Sequence, residues 1–94
     1  MSLTSTASVN TDRASGYLQQ LCKHFSHKLE TQFTAIEGSI EFGFGRAHLQ
    51  AQDSVLTLTA SAPDPASLER LKTVLGSHLE RFAFREALAM TWSA

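Results

Sequence analysis

Residues 29–60 read LETQFTAIEGSIEFGFGRAHLQAQDSVLTLTA, and the spacing of their apolar side chains decides the fold. Leu29, Thr31 and Phe33 alternate with Glu30, Gln32 and Thr34, and Ile40, Phe42 and Phe44 alternate with Ser39 and Glu41. Ala47, Leu49 and Ala51 then alternate with His48, Gln50 and Gln52, and Leu56, Leu58 and Ala60 with Thr57 and Thr59. A period of two sends successive side chains to opposite faces of a strand, so each segment has one apolar and one polar side. Between the segments stand turn residues: Glu37-Gly38, Gly45-Arg46 with a glycine free to take positive φ, and Asp53-Ser54. Four such strands in succession predict an antiparallel meander, covered on one side and wet on the other.

On both sides of this stretch the rhythm becomes helical. Upstream, Ala14, Tyr17, Leu18, Leu21, Cys22 and Phe25 recur at steps of three and four, one buried stripe of an amphipathic helix. Asn10, Thr11 and Asp12 supply its start, and it should end near Ser26 to Lys28. Before it, Leu3 to Val9 alternates hydroxyl and small apolar residues, the pattern of a further strand. Downstream, Pro63-Asp64-Pro65 stops the sheet, with Asp64 placed to cap a second helix and Pro65 at its first position. Leu68, Leu71, Leu75, His78, Leu79 and Phe82 form the buried stripe of that helix, with Arg70 and Lys72 toward its edges. Leu88, Met90 and Trp92 alternate once more, as a short final strand would.

The predicted architecture is therefore α+β: β-α-β-β-β-β-α with a short strand at the C-terminal end, in one domain spanning residues 1–94. A sheet with a single apolar face must carry both helices on that face, side by side. The element order resembles each half of the TATA-box-binding protein and the last domain of phosphohexomutases, a likeness of order only.

Composition narrows the function classes. Nine acidic and eight basic residues leave a net charge of −1, which argues against a nucleic-acid-binding footprint. The lone Cys22 excludes an intrachain disulfide and points to a reducing compartment. No apolar run approaches the roughly 20 residues that span a bilayer, and residues 1–10 lack a secretory signal, so we expect a cytoplasmic protein without a membrane association.

Several pieces together resemble a known family. Tyr17-Leu18, Leu21-Cys22-Lys23-His24-Phe25 and His27-Lys28 look like its first signature, and Gly38, Ile40, Phe42 and Gly45 like its middle hairpin. The run from His78 through Leu79, Glu80, Arg81, Phe82, Ala83, Phe84 and Arg85 to Glu86, followed by Trp92, looks like its last. They resemble the bacterial family called domain of unknown function 2218, itself uncharacterised, from about Thr4 onward. Members of that family occur with siderophore-interacting flavin reductases. The resemblance thus implies such a reductase as a partner and a tie to iron or siderophore metabolism, but supplies no catalytic residue and no cofactor.

Chemistry-bearing residues are few. His24 and His27 lie three apart on the first helix and His78 on the stripe of the second, so three imidazoles could hold zinc or iron, or one could be an axial haem ligand. The structural reading is that His24 and His27 offset the negative helix end while His78 is a core imidazole bonded to a carbonyl or to Tyr17. Cys22 reads as a small core hydrophobe and His48 as solvated. Phe42, Phe44, Phe82, Phe84 and Trp92 would line a pocket between helices and sheet, or simply fill the core. Arg46, Arg81 and Arg85 form either an anion patch or, with Glu41, Glu80 and Glu86, a mixed surface. No nucleophile elbow or phosphate loop is present, because Gly43-Phe44-Gly45-Arg46 leads into a strand and not a helix. The sequence therefore favours a non-enzymatic binding or accessory module. The alternatives are a metal- or haem-dependent protein using His24, His27 and His78, and a homodimer joined by an open sheet edge such as Ser39–Glu41 or the terminal strand.

Overall fold

The computed structural model describes residues 3–83 together with Trp92 and Ser93. Its elements are β1 (Leu3–Asn10), α1 (Ala14–Ser26), β2 (Glu30–Phe33), β3 (Glu37–Glu41), β4 (Arg46–Gln52), β5 (Val55–Ala62) and α2 (Pro65–Phe82), the order expected from the sequence. The strands form one antiparallel sheet in the order β1-β5-β4-β3-β2. The meander is thus built of chain neighbours, and β1 returns to pair with β5.

Register turns the alternating pattern into two faces. One row across the sheet is Thr31, Ile40, Ala47, Ala60 and Ser5; the next is Phe33, Gly38, Leu49, Leu58 and Ala7. Most of these residues are buried, while the intervening row of Gln32, Ser39, His48, Thr59 and Thr6 faces water in whole or part. Both helices lie on the apolar face. Helix α1 packs over β2, β3 and β4, α2 over β5 and β1, and the helices touch one another. Leu18, Leu21 and Cys22 of α1 meet Leu71, Leu75 and Leu79 of α2 in one core with Ile40, Leu49, Leu56 and Leu58 beneath. Each fully buried Leu or Ile stabilises the fold by roughly 1.5–3 kcal/mol.

Two glycines set how closely the helices approach the sheet. A Cβ on Gly38 would lie 2.6 Å from Cys22 Sγ and 3.2 Å from Phe33 Cβ, so the vacant position admits α1. A Cβ on Gly45 would meet the Ser61 carbonyl at 2.8 Å and Leu71 Cδ2 at 3.1 Å, so the second vacancy admits α2 over the β3–β4 hairpin.

The turns differ in detail from the sequence expectation. Glu37 and Gly38 begin β3, and the reversal lies one step earlier, where Thr34 N–H donates to the Glu37 carbonyl at 2.7 Å. The pattern shifts because Thr34 Oγ1 accepts from the backbone of both Ile36 and Glu37, making a side-chain-stabilised turn. In the next hairpin the positive φ belongs to Gly43 (+89°), not Gly45, and Phe42 N–H closes the turn on the Gly45 carbonyl at 2.8 Å. Asp53 and Ser54 turn the chain as expected, both at positive φ (52° and 59°). At the start of α1, Asn10 still belongs to β1. Thr11 Oγ1 accepts from Arg13 N–H at 3.1 Å, and Asp12 takes no place in the first helical turn. Asp64 caps α2 as read, accepting from Ser67 N–H at 2.8 Å.

The edges differ too. Ser39–Glu41 is interior, bonded to β2 on one side and β4 on the other, so it cannot pair across a two-fold axis. Trp92 bridges Ala7, and Ser93 N–H donates to the Thr6 carbonyl at 2.8 Å, which covers part of the outer side of β1. Leu88 and Met90 of the expected last strand lie outside the described residues. Among the described residues no helix is long and apolar enough to cross a membrane.

Gly38→Ala should lower the unfolding free energy by about 1–3 kcal/mol, the usual cost of forcing an extra group into a packed core. Most of that loss should return in the double variant with Cys22→Ala, which removes the sulfur 2.6 Å away. Urea denaturation of the four proteins forms the cycle that checks it.

Candidate functional site

The end of α1, the middle of α2 and the tip of the β3–β4 hairpin meet at one corner of the molecule. A file of rings joins them: Phe82 to His24 (5.8 Å between centroids), His24 to Phe25 (5.1 Å), Phe25 to Phe42 (5.1 Å) and Phe42 to Phe44 (5.8 Å). The Arg70 guanidinium completes it, 4.3 Å above the Phe44 ring. Edge and tilted contacts of this kind add roughly 0.5–1.5 kcal/mol each beyond the area they bury.

Beside this file opens a cleft of about 480 Å3, lined by His24, Phe25, His27, Lys28, Leu29, Phe42, Phe44, Arg70 and Val74. Its side chains divide by chemistry. Phe25, Leu29, Phe42, Phe44 and Val74 are half-buried and make an apolar seat, while His24, His27, Lys28 and Arg70 are exposed around it. No carboxylate lines the cleft among the described residues. The sequence reading named Phe42 and Phe44 but placed Phe82, Phe84 and Trp92 with them. Phe82 contacts His24 and His78 instead, Trp92 lies on β1 near Lys72, and Phe84 falls outside the described residues. Phe25, Leu29, Arg70 and Val74 went unnamed as a site, although Arg70, Val74 and His78 stand four apart and so share one face of α2.

The imidazoles divide in a way spacing alone could not show. His24 and His78 are neighbours, 4.9 Å between ring centroids, and His78 also lies 4.9 Å from Phe25. His78 Nδ1 sits 2.7 Å from the Val74 carbonyl; a carbonyl only accepts, so Nδ1 carries a proton and donates it. This is the carbonyl-bonded imidazole of the structural reading. His27 lines the cleft with His24 but shares no ring contact with either partner among the described residues. Among the described residues no three His, Cys, Asp or Glu side chains gather as a metal ion requires. Arg46 is 3.1 Å from Glu41, its partner across the base of the β3–β4 turn, and Arg85 lies outside the described residues.

Charge crowding marks the corner. His24 has its pKa lowered from the ordinary 6.5 by partial withdrawal from water and then by the positive fields of His78, His27, Arg81 and Lys28. Burial pushes the Cys22 thiol up to about 11, which makes it a core hydrophobe and not a nucleophile.

Fold and cleft define a class: a two-layer α+β domain whose paired helices leave a basic-rimmed aromatic hollow at one end of a five-stranded sheet. The chain belongs to the family of uncharacterized proteins conserved in bacteria, DUF2218, which matches residues 6–93. It is similar to a solved structure, the NMR structure of PA4090 from Pseudomonas aeruginosa, at 36% identity and a TM-score of 0.82, over 96% of this chain and 94% of that one. No curated protein matches it.

Two outcomes follow from the site's electrostatics. A lowered imidazole pKa means the unfolded chain takes up its proton first, so His24 removes stability as pH falls through 6.5 and none above it. The melting temperature should therefore drop less between pH 7.5 and 5.5 in His24→Gln than in the parent, read by calorimetry at both values. Cys22 should resist an aromatic disulfide reagent in the native protein at neutral pH and react at once in denaturant.

Proposed function

We propose that this chain is a non-enzymatic binding module whose ligand seats in the cleft between the helix ends and the β3–β4 hairpin. The observation that carries the reading is the apolar seat of Phe25, Leu29, Phe42, Phe44 and Val74 inside a hollow of about 480 Å3. Small-molecule sites occupy roughly 300–1,000 Å3 and combine such walls with a few polar groups. A ligand that gives up about 150 Å2 of apolar surface here gains roughly 4 kcal/mol before the cost of association. That supports millimolar binding at best from the seat alone.

The neutral probe 1-naphthaleneacetamide tests the seat. Titrated into the isotope-labelled protein, it should shift the resonances of Phe25, Phe42 and Phe44 with a millimolar Kd. Val74→Phe, which fills the half-buried wall, should abolish the shifts while leaving the melting temperature near that of the parent. Shifts spread over the surface, or none at all, would count against the reading.

Within this reading the link to iron or siderophore metabolism is a proposal about the ligand's identity, supported by the family association and not by geometry. Adding haem or a ferric siderophore while following absorbance and melting temperature examines it, since a ligand of the folded state raises stability by mass action. No change at ligand excess removes the iron version.

A further inference from the structure

Resting on the cleft reading above, we propose that the ligand is a small organic oxyanion, an aromatic or branched apolar body whose carboxylate or phosphate is received by Lys28, Arg70, His24 and His27, with binding tightened by protonation of His24. The seat alone yields weak binding, so a specific ligand must use the rim.

The rim is cationic beyond any structural need. Its lysine and arginine are free of ion pairs among the described residues; the two pairs present there use Arg46 with Glu41 and Lys72 with Glu69. The carbonyl end of α1 contributes about half a negative charge, and Lys23 and His24 already stand in that last turn. Lys28 and Arg70 add two permanent positive charges next to it, so a net positive field remains even with both imidazoles neutral. In a chain whose net charge is −1, this is segregation of charge and not an excess of it. Arg70 is also held in place over the Phe44 ring, which reduces the side-chain entropy lost when it accepts an anion.

Every charged group acting on His24 among the described residues is basic: His27 and Lys28 from the end of α1, His78 and Arg81 from α2. An oxyanion in the rim would reverse that field and favour the imidazolium. By linkage, the same anion must bind more tightly once His24 is protonated.

The test compares 1-naphthaleneacetate with its neutral amide on the whole chain, by calorimetry or chemical shift, at pH 7.5 and 5.5. The carboxylate should bind about three- to tenfold more tightly at the higher pH, the worth of two solvent-exposed charge contacts, and the gap should widen at the lower. Arg70→Gln and Lys28→Gln, both on the surface, should bring the carboxylate down toward the amide without moving the amide. His24→Gln should keep the gap at pH 7.5 and reduce its widening, leaving what His27 contributes. Equal affinities for acid and amide at both pH values would overturn the inference and leave the cleft reading standing. Failure of both probes would overturn the cleft reading itself. A pH step undiminished in His24→Gln would remove His24 from the coupling.

Discussion

Helix α1 rests on β3 at a position where the sheet has no side chain, and the rest of the structure follows from that depth of seating. With nothing on Gly38, the Cys22 sulfur comes down almost to the backbone, and Leu18 packs beside it. The helix is then low enough for its last turn to meet the β3–β4 hairpin through Phe25 and Phe42, and to meet α2 through His24 and His78. Gly45 repeats the device for α2, taking Leu71 against the bend in the same hairpin. Two vacancies, one under each helix, bring three elements to a single corner. Interiors packed at near-crystal density transmit such placements, so a contact made in mid-sheet decides the shape of a hollow at its end.

The charge at that corner separates two roles that look alike in sequence. A helix C-terminus attracts cations, and the half-charge of its carbonyls accounts for Lys23 and His24. It does not account for Arg70, which projects from the middle of another helix and lies on an aromatic ring. Nor does it explain why repulsion among His24, His78, Arg81 and Lys28 goes uncompensated by any acid among the described residues. Crowding like charges costs stability, and clefts are where such costs accompany ligand recognition.

Much of the architecture was legible because register and rhythm are the same fact. The alternation in Leu29–Ala60 marks which side of β2 to β5 is buried, and the stripes at Tyr17–Cys22 and Leu71–Leu79 mark the helical faces. Turn positions were harder to place. Glu37-Gly38 looked like a bend because glycine is read as a breaker, whereas Gly38 is in the strand for the space it leaves against a helix distant in sequence. The site was half visible. Phe42 and Phe44 stand out in an alternating run, but Arg70 and Val74 become site residues only when α2 is laid beside α1. The histidine trio illustrates the limit of spacing: His24 and His78 bring their rings to 4.9 Å while His27 meets His24 only along the cleft wall, a division that positions on two helices do not reveal.

The opposite face of the sheet shows why the corner, and not the broad surface, is where binding energy can accumulate. Gln32, Ser39, His48, Thr59 and Thr6 form a continuous row across all five strands, and every member is polar. Such a surface exchanges hydrogen bonds with water at little net gain, about 0.5–1.5 kcal/mol for each bond completed, and offers little apolar area to bury. The corner reverses both terms. Its rings are half-buried already, so a ligand displaces little water from the cleft but loses much of its own contact with solvent. Its cations lie where a low-dielectric wall stands on one side, which strengthens their pull on an anion relative to the same charges on an open sheet. One hollow of about 480 Å3 therefore concentrates apolar area and unneutralised charge, where the row across the other face offers hydroxyl, amide and imidazole groups.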